Sequence, residues 1–164
     1  QVLSRRGLGV TVLDKPDVAI VLDEVRSAPG AEIEARFHSN ASIRIVPDDG
    51  FVLLDGDEGL MALIPVVEDG FSLREGRHPS LPVLEGETFR WIPYVGTVVR
   101  AAHATTLIAS IAVPVADRTE ASDIARSARL KPGSSGGVSV SFTRHGETLS
   151  VSFVQDSDSG LILK

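Results

Sequence analysis

The sequence predicts an all-β fold, an antiparallel β-sandwich of about 10–13 strands with at most one short helix near residues 119–129. Three observations predict it. Val, Ile, Leu, Thr and Phe recur in short, nearly alternating runs; Gly, Pro, Asp and Asn punctuate those runs about every 8–12 residues; and helical spacing is nearly absent. With 164 residues, 43% hydrophobic and 23% charged, the chain has the length and composition expected of one domain, residues 1–164.

The elements follow in order. Leu8–Asp14 and Asp17–Val25 flank Asp14-Lys15-Pro16-Asp17, where Pro16 fixes φ and removes a ladder donor, so they are expected to form a hairpin. Ala31–His38 and Ala41–Val46 meet at Ser39-Asn40, read as a tight turn because Asn tolerates a left-handed backbone. Alternation turns Ile33, Ala35 and Phe37 inward and Glu32, Glu34, Arg36 and His38 outward. Pro47-Asp48-Asp49-Gly50 turns the chain into Phe51–Leu54. Asp55–Gly59 turns it again into Leu60–Val67, an almost continuous apolar run suited to a central strand. Ser72–Glu87 is polar and carries Pro79 and Pro82, so a surface loop is expected. Thr88–Tyr94 and Thr97–His103 alternate as two strands, and Thr105–Val113 is a strongly apolar strand ending at Pro114. Within Asp117–Leu130, Ala121, Ile124, Ala125 and Ala128 have helical spacing, with Asp117 or Thr119 as the cap. After Gly133–Gly137, Val138–Arg144 and Thr148–Val154 turn at His145-Gly146-Glu147, and Leu161–Leu163 forms a last short strand.

Composition excludes several function classes. No apolar run reaches the roughly 18 residues that span a bilayer. The chain has no cysteine, which removes disulfides, thiolate metal sites and a thiol nucleophile. A net charge of −6 and a pI near 5.2 argue against a nucleic-acid partner, which calls for a basic face. The first residue is Gln1 and no charged-then-apolar leader follows it, the layout of a mature or excised piece.

Few residues point to chemistry. Gly133-Ser134-Ser135-Gly136-Gly137 fits G-x-S-x-G, but a nucleophile elbow needs a strand before it and a helix after it; here a proline precedes and a strand follows. Asp55, Asp57 and Glu58 resemble the start of a calcium loop without its remaining ligands, and the Asp156/Asp158 pair is no more complete. The histidines at 38, 78, 103 and 145 form no zinc spacing. Arg36 and His38 share one side of a strand, next to Arg44 if the following strand is its neighbour, and such a positive strip suits an acidic sugar. A solvated face with ion pairs to Glu32 and Glu34 is the alternative. Arg90, Trp91 and Tyr94 offer a cation and amphipathic rings on which a sugar stacks, or else half-buried strand aromatics. The candidate substrate-binding residues are therefore Arg36, His38, Arg90 and Trp91, with no catalytic residue and no metal ligand identified.

Four segments carry a family resemblance across about two-thirds of the chain. They are Val18-Ala19-Ile20-Val21-Leu22-Asp23-Glu24-Val25, Glu34-Ala35-Arg36-Phe37-His38, Gly59-Leu60-Met61-Ala62-Leu63-Ile64-Pro65-Val66, and Thr105 through Pro114, which reads T-x-L-x-x-S-x-x-x-P and is similar to a late T-x-L-x-S-x-x-x-P strand. In this order they resemble the C-terminal β-sandwich of the heparinase II/III-like polysaccharide lyases, which include alginate and oligoalginate lyases. The resemblance implies that an N-terminal helical toroid of the same parent chain carries Asn, Tyr and His residues that abstract the C5 proton of a uronic acid and drive β-elimination. It also implies an acidic polysaccharide as partner, a periplasmic or extracellular setting, and in some members a structural zinc or calcium ion. The family's His-x-His-x-Asp-like region is missing here, so no catalytic residue carries over, and this piece alone is expected to be inert. A free-standing carbohydrate-binding or adhesion module is the alternative, and it predicts a platform of exposed aromatic rings. A module cut from a larger enzyme predicts instead an exposed apolar patch where its neighbour packs. Open strand edges make a homodimer a further expectation.

Overall fold

A computed structural model describes residues 3–10, 18–79, 90–133, 137–156 and 160–163, with side chains described for 18–79, 90–133 and 137–154. The strands are β1 (Leu3–Val10), β2 (Ala19–Arg26), β3 (Glu32–His38), β4 (Ser42–Val46), β5 (Phe51–Gly56), β6 (Gly59–Val67), β7 (Phe71–Pro79), β8 (Trp91–Arg100) and β9 (Thr105–Pro114). A helix, α1 (Arg118–Ser127), precedes β10 (Arg129–Pro132), β11 (Val138–Arg144), β12 (Glu147–Asp156) and β13 (Gly160–Leu163). All pairings between them are antiparallel.

Three sheets result: a six-stranded sheet in the order β1-β2-β9-β6-β5-β4, a four-stranded sheet β10-β11-β12-β13, and a three-stranded sheet β3-β8-β7. The six-stranded sheet lies between the other two, because its inner strands are apolar on both faces. On β9, Ala109, Ile111 and Val113 join a core with Phe51, Leu53, Ile64, α1 and the four-stranded sheet. Ile108, one residue out of phase, packs instead with Val25, Ile33, Ala35 and Val99 against the three-stranded sheet. Val52, Leu63 and Val95 extend that second contact, with Phe37, Ile43 and Ile45 around them. The all-β sandwich is as expected, and β6 takes the interior place its apolar run predicts.

Local differences have identifiable causes. β1 and β2 pair with Val10 opposite Ala19, as the hairpin reading requires, although β1 runs over Leu3–Val10 and the Asp14–Asp17 turn lies outside the described residues. β3 and β4 are not a hairpin but belong to different sheets. The Ser39 amide donates to the Pro93 carbonyl and the Ala41 amide to Ser39 Oγ, a bend that carries the chain from one sheet to the other. Arg44 is therefore not a neighbour of Arg36. Residues 71–79 of the expected Ser72–Glu87 loop form an edge strand along β8, and residues 80–89 lie outside the described ones. The expected break at Val95-Gly96 is absent: β8 is the centre of its sheet, paired on both sides, with Gly96 facing Arg36 and Arg74. The helix ends at Ser127, and Arg129 and Leu130, expected within the helical stretch, instead begin the strand Arg129–Pro132 that pairs with β11.

Helix α1 begins where expected. Asp117 accepts a hydrogen bond from the Glu120 amide, and Ala121 and Ile124 face the core. The β11–β12 turn has positive φ at His145 (51°) and Gly146 (80°), the twist a two-residue hairpin favours. Glu120 ties turn and helix together, accepting from Arg144 Nε at 2.8 Å and the Ala116 amide at 2.6 Å, with His145 Nε2 3.2 Å from its carboxylate. Burial alone would push the Glu120 carboxyl up, but these donors outweigh it and hold the group below its ordinary value. Its stabilisation is therefore fully present above about pH 4.5 and is lost as pH falls through the lower folded-state value. Arg144→Met is expected to cost about 2–3 kcal/mol in urea unfolding at pH 7, the loss of a charge-assisted bond at a largely buried carboxylate. The cost of Glu120→Gln should shrink as unfolding is repeated below pH 4.5.

Candidate functional site

The outward face of the three-stranded sheet gathers Arg36, His38, His78 and Tyr94 from the residues singled out in the sequence. Register places Arg36 beside Gly96 and Gly96 beside Arg74; the next row is His38, Tyr94 and Gly76; His78 then stands opposite Ile92. All of these point away from the six-stranded sheet, because Ile33, Ala35, Val95 and Val99 take the other face.

Two glycines make the face. A Cβ at Gly76 would lie 2.5 Å from the Tyr94 hydroxyl, so only a bare backbone lets the phenol lie flat across β7. A Cβ at Gly96 would lie 2.8 Å from Glu34 Cγ, so that carboxylate too rests on backbone. Tyr94 is consequently buried, at 8% exposure, in the middle of a polar surface. The Arg36 guanidinium carbon sits 4.6 Å from the centre of its ring, a cation–π contact. The His38 ring centre lies 5.7 Å from that of Tyr94 and 5.7 Å from that of His78, the two imidazoles meeting edge to face at 86°.

The arginines are engaged. Arg36 Nε donates to Glu34 Oε2 at 2.7 Å, and its Nη2 reaches the same oxygen. Hydrogen bonding to Glu34 raises the Arg36 pKa above the ordinary guanidinium value. Arg74 Nη2 lies 3.2 Å from Glu32 Oε1, and its Nη1 lies 3.9 Å from Glu34 Oε1. That last oxygen is buried and accepts no hydrogen bond. The face thus combines recognition chemistry with the Glu32 and Glu34 ion pairs of the alternative reading.

Of the four residues chosen from the sequence, Arg36 and His38 lie together here. Trp91, at 57% exposure, opens β8 opposite Pro79, and alternation assigns it to the side opposite Tyr94. Arg90 is exposed immediately before it. His78 and Arg74 escape the sequence reading because their segment reads as a loop. The signal is the even-numbered series Ser72, Arg74, Gly76, His78, outward by the same parity that sends Phe71 and Leu73 inward.

The other candidates separate from this face. Asp55, Asp57 and Glu58 lie exposed around the β5–β6 turn, and Ser135 and Asp158 are outside the described residues. Among the described residues no three of His, Asp and Glu gather to hold a metal ion, so the zinc or calcium allowed by the resemblance finds no ligand set there. A groove of about 760 Å³ lies between α1 and the β11–β12 turn, lined by Thr119, Asp123, Ile124, Thr143 and His145 around the Glu120–Arg144 pair. Among the described residues the large apolar side chains left open are Met61 and Trp91, on strands of different sheets, so the expected apolar docking patch is not found there. No helix of the described residues is long and apolar enough to cross a membrane.

Solved structures share the fold. A heparinase III crystal structure superposes with a TM-score of 0.63 at 17% identity, covering 82% of this chain and 21% of that one. The heparinase III BT4657 gene product gives 0.58 at 14% identity, with the same coverages of 82% and 21%. A mutant of the heparan sulfate lyase HepC from Pedobacter heparinus gives 0.60 at 14%, covering 82% of this chain and 22% of that one. The chain therefore spans about a fifth of the length of the structures it matches, and at these identities the likeness is one of fold. No protein-family model and no curated protein sequence matches it.

The glycine at the centre of the face is directly testable. Gly76→Ala is expected to displace the Tyr94 ring and cost about 1–3 kcal/mol in urea unfolding, the range for forced overpacking. Gly70→Ala, whose new methyl meets nothing within 4 Å, should be close to neutral in the same measurement.

Proposed function

We propose that these 164 residues form the C-terminal β-sandwich module of a heparinase II/III-like polysaccharide lyase, with the chemistry held by a helical toroid elsewhere in the parent chain. The observation that carries the reading is the likeness of 82% of this chain to about a fifth of three polysaccharide-lyase structures. The four sequence segments that resemble the same family support it independently.

The described residues fit a supporting and binding role better than a catalytic one. Abstraction of a proton next to a carboxylate needs an acid–base pair and a carboxylate neutraliser converging in a cleft. Here the arginines that would serve as neutralisers, Arg36 and Arg74, are matched by Glu34 and Glu32 on an open sheet face. Arg36 and His38 then act as contacts to an acidic polysaccharide, and Arg90 and Trp91 as a second contact at the end of β8. A polysaccharide substrate in turn favours a periplasmic or extracellular setting. The free-standing binding module is less well supported: it calls for several exposed rings, and with Tyr94 buried the described platform reduces to Trp91. Contact with a preceding domain would run through polar surface, as is common for interfaces within one chain.

An elimination assay tests this reading by the ultraviolet absorbance of the unsaturated uronate product, using alginate, heparan sulfate and hyaluronan. The full-length protein is expected to react with at least one, and this chain alone with none. Activity in the isolated chain would overturn the division of labour. An inert full-length protein would overturn the lyase assignment.

A further inference from the structure

On the outward face of the three-stranded sheet, Arg36 of β3, Arg74 of β7 and Arg100 of β8 stand against Glu32 and Glu34 of β3. Three arginines against two glutamates leave a positive face on a chain that carries −6. The charges are not evenly spread. One row of the sheet runs Arg36, Gly96, Arg74, so two guanidinium groups flank a position that has no side chain. A carboxylate of the protein itself fills the gap: Glu34 lies over Gly96, where a Cβ would come within 2.8 Å of its Cγ. Glu34 Oε2 accepts from Arg36 Nε at 2.7 Å, and Glu34 Oε1 lies 3.9 Å from Arg74 Nη1. Arginines from two strands thus converge on a single carboxylate, the arrangement by which a planar oxyanion is recognised.

The convergence is incomplete. Arg74 is drawn toward Glu32, with Nη2 3.2 Å from Oε1, and Glu34 Oε1 is buried without a donor. Among the described residues Arg36 Nη1 and Arg74 Nη1 make no hydrogen bond, and both side chains are about half exposed. Each guanidinium therefore keeps donors for a group arriving from solvent. Arg36 is also held on the Tyr94 ring, 4.6 Å from its centre, so its position is set before any ligand arrives. Arg100 stands opposite Glu32, which pairs with Arg74 instead; four residues from Gly96, it is roughly 13 Å along the strand from this row.

We propose that Arg36 and Arg74 clamp one carboxylate or sulfate group of an acidic glycan, and that Glu34 is the positioning residue of the clamp, an internal anion that spaces the two guanidinium groups and competes with the ligand for them. This rests on the acidic-glycan reading above and adds to it a second arginine, a ligand group and a residue that limits affinity.

Calorimetric titration at pH 7.5 tests it with three probes: a heparan sulfate oligosaccharide, the unsulfated oligosaccharide of the same backbone, which keeps only carboxylates, and a neutral cello-oligosaccharide. Arg36→Gln and Arg74→Gln are each expected to weaken binding of the acidic probes about tenfold or more, the equivalent of one charge-assisted hydrogen bond. Arg100→Gln removes the same charge from the same face but beyond the screening length of about 8 Å, and should weaken it by less than about threefold. Glu34→Gln keeps an acceptor for Arg36 and removes the competing charge, and is expected to tighten binding about fivefold, the effect of one unit charge about 4 Å away in water. A purely structural role for Glu34 gives no such gain. Urea unfolding of each variant checks that the fold is kept. Unchanged binding in Arg74→Gln, or an equal loss in Arg100→Gln, would overturn the clamp and leave the acidic-glycan reading intact. No gain in Glu34→Gln would overturn the competing role. A wild-type chain that binds neither acidic probe, or binds the neutral one as well, would overturn the acidic-glycan reading and the clamp with it. Binding of both acidic probes assigns carboxylate as the clamped group, and binding of the sulfated probe alone assigns sulfate.

Discussion

The structure depends on one constraint: the strands at the middle of the six-stranded sheet are apolar on both faces. On β9, Ile108 points one way and Ile111 the other; on β6, Leu63 and Ile64 do the same. Each such side chain is worth about 1.5–3 kcal/mol when removed from water, so leaving either face open would cost more than ion pairs at the surface can recover. One face is covered by α1 and the four-stranded sheet, the other by the three-stranded sheet. The chain meets this demand by leaving the main sheet twice between β2 and β9, once into β3 and once into β7–β8. The bend at Ser39–Ala41 follows from the need to cover a second apolar face.

That arrangement also creates the polar face. A three-stranded sheet laid over a core has one side committed to packing, and here Ile33, Ala35, Val95 and Val99 fill it. Its other side is free of the core and carries Arg, Glu, His and Tyr at the alternate positions. β7 sits at the edge with Arg74 and Arg77 along it and ends in Pro79, devices that discourage a further strand from adding there. Tyr94 and Glu34 lie flat because Gly76 and Gly96 stand where side chains would otherwise rise.

Much of the fold is legible in the sequence, and what is not has a physical explanation. Strands whose apolar pattern is local, such as β5, β6, β9, β11 and β12, are found within a few residues, as is α1 with its Asp117 cap. Partner choice is not legible: Ser39-Asn40 reads the same whether the chain turns back on itself or crosses to another sheet. Val95-Gly96 reads as a break because glycine weakens a strand, yet here it leaves room for Glu34. β7 reads as a loop because an edge strand over a polar face needs few apolar residues. The site is half legible for the same reason: Arg36 and His38 lie on a strand whose alternation is plain, whereas His78 lies on one whose alternation becomes visible only against β8.

Stability and recognition are separable on this face, which decides how a loss of binding there is to be read. Arg36 is half exposed and its pair with Glu34 lies at the surface, where ion pairs are worth about 0–1 kcal/mol. Phe51, Ile64 and Ile111 are fully buried on the opposite side of the central sheet, in a core that the outer residues do not touch. Changes at Arg36, His38 or His78 therefore leave the main core in place, so under the proposed function a loss of glycan binding in such variants would report on contact with the ligand. Tyr94 is different: it is buried, lies over Gly76, and supports His38 directly and His78 through it. Removing its ring would disturb packing and recognition together, while removing its hydroxyl alone would keep the platform. The conservative Tyr94→Phe exchange is thus the one that separates the phenol's polar contribution from its role as a floor for the imidazole pair.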